Sequence, residues 1–160
     1  MPKQTTDTFF NGKLRVQQDP AGYRFSIDAI LLASRARPRP KERVLDLGTG
    51  CGIIPLILAY RHPDITTFGI EIQKELAHMA VSNVNANHLQ NLITVLCRDM
   101  RELKPDDIGG PVDLVVCNPP YHTPKSGRIN PDRQRAIARH ELKINLADFL
   151  QTTKRMLRTA

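Results

Sequence analysis

The run Asn118-Pro119-Pro120-Tyr121 joins residue types suited to modifying a nitrogen atom. It follows VDLVVC (112–117), which is apolar enough to be a buried parallel strand. Proline fixes φ and biases the preceding residue toward an extended shape. The carbonyl oxygens of Asn118 and Pro119 are therefore expected as a rigid pair of acceptors. Such a pair can accept both hydrogens of an exocyclic amine or an amide, remove its conjugation and aim the nitrogen lone pair. Tyr121 offers a face on which a flipped-out base can stack. No strong general base is required, because the nitrogen becomes acidic only after it has attacked. Catalysis of this kind is positioning plus suitably aimed dipoles.

A second constellation lies upstream. DLGTGCG places Gly48, Gly50 and Gly52 after an apolar run, where glycine permits a sharp turn and close approach of a ligand. The dinucleotide fingerprint GxGxxG would need glycine at 53, and the chain has Ile53. A nicotinamide cofactor is disfavoured on that ground. Glu71, about twenty residues after the turn, stands where a carboxylate can accept from a ribose diol and repel a 2′-phosphate. Asp99, in CRDM, stands where it could accept from the exocyclic amine of an adenine. With Asp46 in the first core strand, these acids fall at successive strand ends, where open parallel sheets bind ligands.

Alternating strand and helix patterns would position these groups. RVLDL (43–47), TTFGI (66–70), NLITVL (91–96) and VDLVVC (112–117) read as strands. IIPLILAY (53–60), QKELAHMAVSNVNAN (73–87) and NLADFLQTTKRML (145–157) read as helices. Strands alternating with helices imply βαβ units, a parallel sheet and right-handed crossovers. In the order 3-2-1-4 the fourth strand lies beside the first, so the NPPY loop emerges at the crevice where the winding reverses. Upstream, KLRVQQ (13–18) reads as half of a hairpin with PAG (20–22) as its turn. Ser26 is expected to cap a helix over 27–36.

The ordered set Asp46, glycine turn, Glu71, Asp99, NPPY resembles that of the Rossmann-like S-adenosylmethionine-dependent methyltransferases. The resemblance implies an α/β class I fold with S-adenosylmethionine as cofactor. It puts Asp46, Gly48, Gly50 and Gly52 at the methionine part, Glu71 at the ribose and Asp99 at the adenine, with Ile72 and Met100 also among the cofactor-binding residues. Asn118 borders both cofactor and target. GYRFSIDAILLAS (22–34), NPPYH with its basic continuation, and ARHE (138–141) narrow the likeness to bacterial valine-tRNA adenine-N6 methyltransferases, which modify the adenine beside the anticodon. In that group the RFSID element closes over the methionine end, which implicates Arg24, Phe25 and Asp28. The expected organisation is one domain over 1–160, with 1–42 as the closing element and 43–160 as a partial core lacking the C-terminal strands. Methylation of a release-factor glutamine uses the same acceptor pair on a side-chain amide. A remnant that binds cofactor or RNA without turnover is a third reading.

Charge is consistent with a nucleic-acid substrate. Residues 1–43 carry nine Lys/Arg against four Asp/Glu, residues 44–121 five against nine, and residues 122–160 nine against three. Basic flanks suit a polyanion and the acidic middle suits a sulfonium cation. Candidate phosphate contacts are Arg35, Arg37, Arg39, Lys41, Lys125, Arg128, Arg133, Arg135 and Arg139. His122 and His140 could touch substrate, with no catalytic role assigned. Cys51, Cys97 and Cys117 contain no CxxC pair, so neither a disulfide framework nor a zinc site is implied. With no apolar leader in MPKQTTDTFF, a reducing cytoplasm is the expected setting.

Overall fold

The structure, a computed structural model, describes residues 5–19, 24–119 and 146–159. Four strands form one parallel sheet: β3 (Arg43–Leu47), β4 (Thr66–Glu71), β5 (Ile93–Cys97) and β6 (Leu114–Cys117). Their order is β5-β4-β3-β6, the doubly wound 3-2-1-4 arrangement expected from the sequence. Two helices, α2 (Ile53–Arg61) and α3 (Lys74–Ala86), make the first two crossovers. The chain then passes through one-turn 3-10 helices at Met100–Glu102 and Pro105–Ile108 to reach β6.

The sheet is covered on both faces, which explains its near-continuous apolar strands. On one side, Val44, Ile93 and Val116 pack with Leu56, Ile57 and Val84 of α2 and α3 and with Ala29 and Ala33 of α1 (Ile27–Arg35). On the other, Leu45, Leu47, Phe68 and Ile70 meet Met100, Leu103, Ile108 and Met156. Met156 ends α4 (Leu146–Met156), whose exit forms a single parallel bridge, Leu157 with Val112, beside the start of β6. Among the described residues, no helix is long and apolar enough to cross a membrane.

The expected hairpin half is present: β2 (Leu14–Gln18) pairs antiparallel with β1 (Thr5–Phe9), upstream of it, while the turn expected at 20–22 lies outside the described residues. The tip holds Phe10, Asn11 and Gly12 at φ of 52°, 56° and 81°. Asn-Gly favours the left-handed conformations such a tip needs, and Asn11-Gly12 was the overlooked signal.

The outer edge of β2 is bonded to two side chains of α3. Asn83 accepts from Gln17 N at 2.8 Å and donates to Gln17 O at 3.0 Å. Asn87 accepts from Arg15 N at 2.9 Å and donates to Arg15 O at 2.6 Å. Two amides one helical turn apart thus replace a neighbouring strand, matching alternate residues of β2.

Gly69 carries a separate constraint. A Cβ there would lie 2.9 Å from both Cγ2 and Oγ1 of Thr49 and 3.1 Å from its Cβ. Thr49 is short and branched, so it cannot swing clear. Gly69→Ala is expected to cost about 1–3 kcal/mol of stability through overpacking. Urea unfolding checks this, and an unchanged midpoint would contradict it.

Candidate functional site

The glycine turn hangs from the carboxyl end of β4. The N–H groups of Gly48 and Thr49 both donate to Ile70 O at 2.9 Å, and Gly52 N donates to Thr49 O at 2.9 Å. Gly48, Gly50 and Gly52 all have positive φ, at 77°, 58° and 86°. Side-chain-bearing residues would be strained at each. Space is open around the position a Cβ would take on Gly48, whereas one on Gly52 would press on Ala80 at 3.3 Å.

Glu71 fixes this turn. Its Oε2 accepts from Gly50 N at 2.8 Å, and its Oε1 accepts from Gln73 N at 2.9 Å. Its main-chain oxygen accepts from Arg98 N at 2.9 Å. The residue is buried, and burial raises its pKa against the opposing effect of the N–H groups of Gln73, Gly50 and Ile72. A carboxylate has about four lone-pair positions, so capacity remains for a ligand's hydroxyl.

Asp46 is the least satisfied group of the core. It has 0 % exposure. Neither carboxylate oxygen has a hydrogen-bond partner among the described residues, and the same is true of the Thr49 hydroxyl. Register puts Asp46 between Gly69 and Val116, on the face covered by α2. Burial pushes its carboxyl up to about 7; the nearby Thr49 hydroxyl opposes the shift and the charge of Glu71 adds to it. With no exposed surface, the carboxylate could act on a ligand at the turn only through its field. A cation at the turn would favour its ionised form.

The third acid is already engaged. Asp99 caps the 3-10 helix by accepting from Arg101 N at 2.9 Å, and its two oxygens each accept from Arg101 Nε at 3.0 Å. The Arg101 side chain holds its carboxyl below the usual range. Any amine at Asp99 must share it with this guanidinium. Ile72 is exposed, whereas Met100 is buried with its carbonyl bonded by Thr152 Oγ1 at 3.1 Å and Arg155 at 3.0 Å.

Asn118 and Pro119 complete the arrangement. Leu47 pairs with Cys117, so the glycine turn and Asn118 leave adjacent strand ends, roughly 4.8 Å apart. Asn118 is half-buried and Pro119 exposed. Asn118 Nδ2 donates to Ser26 Oγ at 3.3 Å. Pro120 and Tyr121 lie outside the described residues, as do His122, Lys125, Arg128, Arg133, Arg135, Arg139 and His140. Arg24 pairs with Asp7 at 3.3 Å, Phe25 packs on Phe9 with ring centroids 5.8 Å apart, and Asp28 is exposed in the first turn of α1.

One set of candidate phosphate contacts lies at the opposite end of the sheet from the crevice. Arg35, Arg37, Arg39 and Lys41 run from the end of α1 to the start of β3, with the amino ends of the strands. Arg61, closing α2, donates to Ser34 O there at 2.6 Å. Thr49, Gly69, Asn83 and Arg101 belong to the site's framework and escaped sequence reasoning. Thr49 stood inside DLGTGCG, and Gly69 interrupted an otherwise β-prone strand.

The orphaned Asp46 oxygens, the spare acceptor capacity of Glu71 and the open glycine turn fit a cationic ligand bearing a diol. A family model described as methyltransferase small domain matches residues 24–143. A tRNA1(Val) (adenine(37)-N6)-methyltransferase of Porphyromonas gingivalis is 33% identical over 95% of this chain and 61% of its own length. The enzyme of that name from Tolumonas auensis is 31% identical over 91% and 59%. The chain therefore spans about 60% of the length of these curated relatives. Among solved structures, M. jannaschii TYW2 in complex with AdoMet superposes with a TM-score of 0.67 at 18% identity, over 99% of this chain and 60% of that one. A Thiobacillus denitrificans SAM-dependent methyltransferase in complex with S-adenosyl-L-homocysteine gives 0.58 at 19%, over 84% and 45%. At those identities the likeness shows a shared fold.

Asp46 yields a pH prediction. Its folded pKa is raised, so its contribution to stability is complete below the unfolded value and is lost as pH rises through about 7. Between pH 5.5 and 8 the unfolding free energy should fall by about 2 kcal/mol through this group. Asp46→Asn should flatten that slope in urea titrations at several pH values. An identical slope in the variant would contradict the assignment.

Proposed function

The chain belongs to the methyltransferase small domain family, and on that premise we propose that it methylates the exocyclic N6 of an adenine in tRNA, using S-adenosylmethionine. The proposed target is the adenine beside the anticodon of a valine tRNA. One observation carries the reading: the Leu47–Cys117 pairing releases a ligand-ready glycine turn and an acceptor loop at the same switch point of the sheet. The names of the relatives, which align with 91–95% of this chain, support the substrate class.

When bound, the cofactor supplies a methyl carbon on a positively charged sulfur. The turn from Gly48 to Gly52 would follow its methionine part, with Arg24, Phe25 and Asp28 in the closing element, residues 1–42, of a single domain. Glu71 would accept from the ribose hydroxyls beside Ile72. Asp99, with Met100 beneath, would accept from the adenine amine while keeping its bond to Arg101. Asp46, when ionised, would contribute negative charge.

At the target, the side-chain oxygen of Asn118 and the main-chain oxygen of Pro119 would each accept one hydrogen of the amine. Held so, the nitrogen becomes pyramidal, loses conjugation with the ring, and its lone pair is localised on one face. The same oxygens oppose the positive charge that grows on nitrogen and keep its surplus proton hydrogen-bonded until water removes it. Pro119 and Pro120 supply rigidity, since a wandering pair of acceptors would not aim a lone pair. Tyr121 would stack on the base. The basic segment 125–139 follows the acceptor loop directly in sequence and would meet phosphates, which position without specifying.

Mass spectrometry of nucleosides from bulk tRNA, incubated with the chain and S-adenosylmethionine, tests this reading. N6-methyladenosine is the expected product. Label entering release factor instead would move the assignment to side-chain amide methylation. Asn118→Ala should abolish transfer while leaving cofactor affinity within about threefold of wild type. Turnover retained in that variant would remove the lone-pair mechanism.

A further inference from the structure

Ser26 occupies the N-cap position of α1 in an extended conformation, φ −91° and ψ 165°, yet its hydroxyl makes no capping bond to the helix. A serine in that position ordinarily accepts from a backbone N–H one turn into the helix. Here the hydroxyl instead accepts from Asn118 Nδ2, 92 residues away, at 3.3 Å.

We propose that Ser26 is a positioning residue that anchors the Asn118 amide, giving Nδ2 a partner while Oδ1 serves the target amine. The proposal rests on the acceptor role assigned to Asn118 above. The last torsion of asparagine has a broad, roughly two-fold preference, so little intrinsic energy separates an amide from its flipped form. The two orientations are chemically opposite at the reaction site. With Nδ2 committed to Ser26, Oδ1 occupies the other end of the amide plane and can accept from a target amine. A flipped amide could still accept from the Ser26 hydroxyl, but it would confront the target amine with two further donors, so the amine selects the orientation and Ser26 holds the amide in place for it.

Ser26 can fix an amide only if it is itself fixed, and the preceding residues supply that anchor. Phe25 N donates to Oε1 of Gln18 at 3.1 Å, and Gln18 is buried at the end of β2. The other end of the Gln18 amide donates to Asp7 on β1. The hairpin is held in turn by Asn83 and Asn87 of α3. Asn83 also donates to Cys51 O at 3.0 Å, inside the glycine turn. A path of hydrogen bonds, joined by the chain at Gln17–Gln18 and Phe25–Ser26, therefore runs from the glycine turn through α3 and the hairpin to the acceptor loop. It gives the two halves of the crevice a common reference.

The experiment uses the full chain and its Ser26→Ala and Ser26→Thr variants. Single-turnover transfer to bulk tRNA at saturating substrate should fall roughly 10–100-fold in Ser26→Ala. Cofactor affinity by calorimetry should stay within about twofold, and Ser26→Thr, which keeps a hydroxyl, should recover most of the rate. A rate unchanged in Ser26→Ala, or a Ser26→Thr variant as slow as Ser26→Ala, would overturn the proposal. A second readout needs no turnover: the Asn118 side-chain amide pair in a ¹⁵N-edited spectrum, identified by its loss in Asn118→Asp. That pair should shift in Ser26→Ala and hold near its wild-type position in Ser26→Thr. If wild type transfers nothing, the functional reading fails, and the spectrum alone decides whether Ser26 anchors the amide. An unmoved amide pair would overturn the inference whatever the activity.

Discussion

A buried carboxylate bonded to two backbone N–H groups holds this site together. Glu71 ends β4, yet its side chain turns back to receive Gly50 N from the neighbouring strand's exit and Gln73 N from the start of α3. Three elements are thereby referred to one group. The glycine turn has no side chains with which to fix itself, and its positive φ values exclude most residues that could have supplied them. An external anchor is required, and hydrogen bonds to a charged acceptor are about twice as strong as neutral ones. The same two bonds offset part of the cost of burying the charge.

Asp46, on the neighbouring strand β3 opposite Gly69, shows the opposite condition. Its charge is buried with no hydrogen bond among the described residues, and burial raises its pKa to about 7. Unpaired buried acids destabilise a fold and concentrate at functional sites. Satisfied Glu71 shapes the turn; unsatisfied Asp46, when ionised, would favour a cation nearby. Gly69 completes the arrangement by leaving room for Thr49 over β4.

The sheet order and the switch point were legible in the sequence because apolar runs, glycine and proline act locally. DLGTGCG needs its glycines whatever surrounds it, and NPPY is stiff by its covalent structure. Other features depended on partners distant in sequence. Nothing around Asn83 or Asn87 shows that two helix amides will take the place of a strand beside residues 15 and 17. Ser26 was expected to cap α1, and its position is that of a cap, but its hydroxyl is spent on Asn118. Asp99 looked free until Arg101, two residues on, folded back onto it. Sequence also hides which end of the sheet the basic run from Arg35 to Lys41 meets. The family and the α/β fold read from the motifs agree with the match to residues 24–143 and with the solved methyltransferase structures.

The central claim is that Glu71 holds the glycine turn in its ligand-ready shape. Calorimetric titration of S-adenosylmethionine into the chain and into Glu71→Gln tests it most directly. Glutamine keeps the size of the side chain but puts a donor where one backbone N–H needs an acceptor. The account predicts a folded variant whose affinity is at least about tenfold weaker, since an N–H left facing a donor costs on the order of 1–3 kcal/mol. Wild-type affinity in Glu71→Gln would contradict it.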